Sequence, residues 1–142
     1  MTTLSNRRQK GMAALEFGFV IPVLMLLVFG IVEFGIAFYR EGVLAGAVRE
    51  GARAGIIATN PRPTTGQIQD KVKNYLVGVG WDPAPAQVTV TGAQGSSGDP
   101  LTVQASYPTN LAVMKKLVPM PGISVDSAGN ATLHAKIVMQ LE

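Results

Sequence analysis

The sequence predicts an α+β protein. A long N-terminal transmembrane helix continues into a small outer domain with a second helix and an antiparallel sheet of about three strands. Three observations predict it. Phe17–Tyr39 is an apolar run interrupted only by Glu33. Residues 41–58 contain no proline and keep a helical spacing of apolar positions. From Gln87 onward the apolar period changes from helical to two, the mark of strands with one face covered.

The apolar run comes first because its length decides the class. As a helix its 23 residues span about 34 Å at 1.5 Å per residue, against a hydrocarbon core of about 30 Å. Pro22 lies within it, and membrane helices tolerate proline. A cleaved secretory signal fits poorly. Its apolar core should be about 7–15 residues long and end at small residues. Ala45-Gly46-Ala47 would serve, but Glu33, Arg40 and Glu41 intervene.

Charge is distributed unevenly. The chain carries twelve basic and nine acidic side chains, and Arg7, Arg8 and Lys10 precede Gly11 with no acid among them. Removing those three leaves nine against nine, so the surplus belongs to the leader and is no argument for nucleic-acid binding. Basic residues tie across the membrane: three in the leader, and Arg40, Arg49 and Arg53 beyond the run. There is no cysteine, which removes disulfides and thiolate chemistry.

Glu16 sits five residues after Gly11, at the mouth of the apolar run. A carboxylate at the centre of a membrane helix costs about 2.5–3.5 kcal/mol, so it calls for a partner. Cutting between Gly11 and Met12 would make one, the new amine of Met12, one helical turn from Glu16. A glutamate that snorkels to headgroups is the plainer alternative.

Beyond the membrane, Val43, Leu44, Ala47, Val48, Ala54 and Ile57 continue the helical stripe. Gly42 and Gly46 are four apart, as are Ala47, Gly51 and Gly55, a spacing that lets backbones approach closely. Glycine costs up to about 1 kcal/mol per helical position, so packing should compensate. Arg49, Glu50 and Arg53 share a face and are expected to pair along the helix. Glu33 is expected to anchor the outer end of the apolar run or to reach Arg40 of a neighbour.

Thr59-Asn60-Pro61-Arg62-Pro63 stops the helix. Thr64 and Gln67 then form a capping box for a second helix, with Ile68, Val72, Tyr75, Leu76 and Val79 on one face and Gly78 and Gly80 as its stop. Trp81–Pro85 is a rigid linker. Strands are predicted at Gln87–Thr91, at Leu101–Tyr107 with Pro108 ending it, and at Ala131–Leu141. Gly92–Pro100 is the loop between the first two. Leu111–Leu117 reads as a helical turn and Val118–Gly122 as extended or turned. The outer half of the long helix is the expected cover of the sheet.

No catalytic or cofactor constellation stands out. His134, the single histidine, falls on a polar strand face without a cluster of ligands beside it. No phosphate-binding loop is present, and Lys115-Lys116 lacks an aromatic platform for nucleic acid. The expectation is a non-enzymatic protein with no cofactor, no metal, no small-molecule substrate and no nucleic acid.

The order of these residues resembles a known family. A basic leader and Gly11 precede Ala13-Ala14-Leu15-Glu16-Phe17 and Pro22. Gly30-Ile31-Val32-Glu33-Phe34-Gly35 and Ala47-Val48-Arg49-Glu50-Gly51-Ala52-Arg53 follow, then Ser106-Tyr107-Pro108 and a last strand ending in Glu142. This looks like a TadE-like pseudopilin, a minor subunit of the tight-adherence (Flp, type IVc) pilus system. The resemblance implies a prepilin peptidase that cuts after Gly11, and partners among other Tad pilins and the inner-membrane assembly platform. It implies a single-pass protein of the inner membrane with residues 1–11 as a cytoplasmic leader, 12–58 as the anchor helix with its extension, and 59–142 as the outer domain. Two other readings stay open: a stand-alone membrane-anchored binding module outside the cell, and a DNA-uptake pseudopilin.

Overall fold

The computed structural model describes residues 3–109, 123–125 and 131–142. The predicted turn at Leu111–Leu117, the Lys115-Lys116 pair and the Val118–Gly122 segment lie outside the described residues. Two helices cover one face of a four-stranded antiparallel sheet. Helix α1 runs from Thr3 to Ile56 and contains Pro22. It passes through Gly11 without a break and ends two residues before the predicted limit.

Helix α2, Thr65–Gly78, is bounded as its sequence directs. The Gln67 N–H donates to Thr64 Oγ1 at 3.3 Å, and the Thr64 N–H donates to Gln67 Oε1 at 2.9 Å. At the other end the Trp81 N–H reaches Leu76 O at 2.9 Å and the Gly80 N–H reaches Val77 O at 2.9 Å. These two bonds satisfy orphan carbonyls only if the intervening residue turns left-handed, and Gly80 does so at φ +81°. Ile68, Val72 and Leu76 are fully buried. Tyr75 and Val79 are more exposed than the predicted face implies, each at 38%. Tyr75 lies at the edge of that face, with its hydroxyl end at Gly46.

Strands β1 (Gln87–Thr91), β2 (Pro100–Thr109), β3 (Ile123–Val125) and β4 (Ala131–Gln140) lie in the order β1-β2-β4-β3. β1 faces β2 from Gln87 opposite Ser106 to Thr91 opposite Thr102, and β2 faces β4 from Pro100 opposite Gln140 to Thr109 opposite Ala131. Two expectations change here. The sheet gains β3, which at three residues is too short to show an alternation. Pro108 does not end β2, which continues to Thr109. β1 begins opposite Ser106, so at Pro108 the strand is an edge on that side, where a residue without an N–H is tolerated.

Alternate residues of β2 and β4 point at the helices. Leu101, Val103, Ala105 and Leu133 join Leu44, Val48 and Ala52 of α1 and the three buried residues of α2 in one core. The chain end is stitched to this core. Leu141 is buried and exchanges backbone bonds with the β1–β2 loop through Gly98 and Asp99, and the Glu142 N–H donates to Ile56 O at 3.2 Å. The predicted linker is in fact a packed corner. Asp82 Oδ1 accepts from the Ala84 N–H at 2.9 Å, Tyr107 Oη donates to Asp82 O at 3.1 Å, and the Trp81 and Tyr107 rings lie 4.8 Å apart.

Candidate functional site

The long helix divides by burial. From Met12 to Tyr39 its large apolar side chains are exposed on all sides, Phe17, Phe19, Leu24 and Phe29 among them. Met12–Ile56 includes a stretch long and apolar enough to cross a membrane, with a mean hydropathy of 2.6 and none of it buried by the protein. In water such a surface would be costly, at about 25 cal/mol per Å² of apolar area left wet. Glu16 is exposed on this segment and Glu33 is half-buried on it.

The upper half of α1 is the reverse. Leu44, Ala47, Val48, Gly51, Ala52 and Gly55 are buried against α2 and the sheet. Three glycines mark where partners come closest. A Cβ added to Gly46 would stand 2.8 Å from Tyr75 Oη, one on Gly51 would stand 2.4 Å from Val72 Cγ2, and one on Gly55 would stand 2.6 Å from Leu101 Cδ2. No side chain larger than hydrogen fits these points unless a neighbour shifts. Gly42 differs: it is exposed, and a Cβ there would meet nothing within 4 Å.

Arg49, Glu50 and Arg53 point away from this packing and are exposed. No ion pair joins them among the described residues, so the predicted pairing along the helix is not formed within this chain. Glu50 and Arg53 of α1 and Gln67, Asp70 and Lys71 of α2 line a groove of about 720 Å³, together with Ile57 and the buried Ile68. Its rim carries both signs of charge. Arg40 donates from Nη1 to Thr109 Oγ1 at 2.5 Å within this chain.

Residues 11–53 match the family model described as TadE-like protein. Over this span the chain is TadE-like. The matched stretch holds Gly11, Met12, Glu16, the whole exposed apolar half of α1 and the Arg49–Arg53 block. Neither the curated proteins nor the solved structures gave a match. The match supports a minor pilin-like role in a Tad pilus system, and the long apolar half of α1 suits a membrane anchor. TadE-like pilins are in general non-enzymatic.

Sequence reasoning missed several residues that position this TadE-like helix. Thr109 and Ala131 hold its middle through Arg40 and Ala37, and Tyr75 fills the notch at Gly46. Arg40 and Thr109 lie 69 positions apart, and no local pattern joins them. His134 lies on the outer sheet face, exposed, with Nε2 2.7 Å from Ser124 Oγ. No group of three potential metal ligands occurs among the described residues.

Proposed function

We propose that this protein is a minor pilin needed to assemble a Tad (Flp, type IVc) pilus, matured by a prepilin peptidase that cuts between Gly11 and Met12. The observation that carries the reading is the division of α1. Its lower half carries large apolar side chains that stand exposed among the described residues, and its upper half is locked into the domain. Such a helix needs lipid or neighbouring apolar helices along its lower half, and an assembling pilin exchanges the first for the second.

Cleavage changes the electrostatics of the helix end. The intact helix has no acidic residue in its first turn. With Gly11 gone, the helix begins at Met12 with a cationic amine and the positive end of the helix dipole, and Glu16 lies about one turn further on. The carboxylate then has a counter-ion, within its own chain or on a neighbour. The second arrangement sets the axial step between subunits. A lone charge in lipid would otherwise cost about 2.5–3.5 kcal/mol.

In this reading the protein sits in the inner membrane with residues 1–11 in the cytoplasm and the α+β domain outside. Its partners are the peptidase, other Tad pilins and the assembly platform. The exposed Arg49, Glu50 and Arg53 offer charged contacts to such partners. The test is Glu16→Ala. The variant should insert in the membrane and lose its leader normally, yet fail to co-purify with the other pilins, and cells should lose pili. Normal piliation would refute the assigned role of Glu16.

A further inference from the structure

Hydropathy places the apolar run at Phe17–Tyr39, but burial places the edge of the outer domain lower than Tyr39. On the sheet-facing side of α1, Gly30 and Glu33 are already half-buried. Ala37 is 1% exposed and packs with Ala131 and Ile123, and Arg40 donates to Thr109. The ends of β2 and β4 therefore stand level with Ala37–Arg40. The charged guanidinium of Arg40 and its Thr109 partner are polar groups that the hydrocarbon core disfavours. The hydrocarbon should stop below them.

Counting upward from Met12 gives the same boundary. Met12–Val32 is 21 residues, or about 31 Å of helix, against the hydrocarbon thickness of about 30 Å. This span starts where the leader cations end and stops just before Glu33. Immediately above, Phe34, Phe38 and Tyr39 remain exposed, and the Phe34 and Phe38 rings meet edge to face at 4.4 Å. Aromatic side chains gather at the headgroup level of membranes. From Glu33 to Phe38 the helix rises about 8 Å, close to the ~5–8 Å depth of one interfacial layer.

We propose that the outer surface of the bilayer crosses α1 at Glu33–Tyr39, so that the Phe34, Phe38 and Tyr39 collar lies among lipid headgroups, at the level where Ala37 and Arg40 join α1 to the sheet. The proposal rests on α1 being a membrane anchor. It leaves no free spacer between anchor and domain. Ala37 and Arg40 fix the sheet to the helix at the membrane surface, and the Gln140 end of β4 and the Glu50–Lys71 groove point away from it.

The chain has no cysteine, so single labels can be placed cleanly. Nitroxides at Leu24→Cys, Tyr39→Cys and Gln140→Cys all occupy exposed positions. In phosphatidylcholine vesicles each label's collisions with oxygen and with a water-soluble nickel complex report its depth. The Leu24 label should be deep in the hydrocarbon, the Tyr39 label at the headgroups, and the Gln140 label fully in water. A Tyr39 label as accessible to nickel as the Gln140 label would overturn the proposal by showing that the domain stands clear of the lipid. A Tyr39 label as deep as the Leu24 label would overturn it in the other direction. A Leu24 label open to water would instead sink the anchor reading on which the proposal rests. Trp81 fluorescence checks that each labelled protein keeps its folded corner.

Discussion

Replacing Gly51 with alanine adds one methyl group at the tightest point between α1 and α2. The new Cβ would sit 2.4 Å from Val72 Cγ2 and 3.5 Å from Ile68 O. Val72 cannot swing aside easily. It is β-branched, which holds its χ1 in a helix, and it is fully buried. Relief must come from separating the two helices, and overpacking of this kind costs about 1–3 kcal/mol. Alanine returns about 0.5–1 kcal/mol through its better helix propensity. The net expectation is a loss of about 1 kcal/mol, or roughly 4–8 °C in melting temperature for a domain of this size. Gly42→Ala provides the control, because its added methyl meets nothing within 4 Å. It should keep only the propensity gain and raise the melting temperature by a few degrees. The assay is thermal unfolding of the full chain in detergent, followed through Trp81, the single tryptophan, which packs on Tyr107. If Gly51→Ala and Gly42→Ala both stabilise the protein to the same degree, the argument that Gly51 is required by close approach is refuted.

Other perturbations test separate joints. Thr109→Val should cost about 1.5–3 kcal/mol, because it removes the acceptor of a part-buried bond from a charged guanidinium. A double-mutant cycle with Arg40→Met should show that most of this loss is shared by the pair. Thr64→Ala should cost about 1 kcal/mol by deleting the capping box, read as faster amide exchange at Gln67 and its neighbours. Gly80→Ala places a Cβ at φ +81° and should fray the end of α2, with loss of the Trp81–Tyr107 contact visible in the fluorescence spectrum.

Local chemistry made much of this fold legible. The capping box at Thr64 and Gln67 appears where the residue types require it, because both partners lie within one turn. β1 matches its predicted limits, and β4 differs only in that Leu141 follows it. Both strands alternate cleanly, since one face meets the helices and the other meets water. What the sequence hid was contact across long separations. Nothing near Arg40 points to Thr109, and nothing near Gly46 points to Tyr75. β3 was illegible because three residues cannot display a period. Pro108 misled because a proline normally closes a strand, and only the short reach of β1 leaves it a tolerable place. Arg49, Glu50 and Arg53 have helical spacing that permits pairing, and their outward position leaves them exposed.

The mass of the mature N-terminus tests the central claim most directly. Protein extracted from membranes of cells with an active prepilin peptidase should begin at Met12, with its amine free to meet Glu16. Protein that still carries Met1 and the leader arginines under those conditions would contradict it, and α1 would then be a plain tether rather than the helix of an assembling subunit.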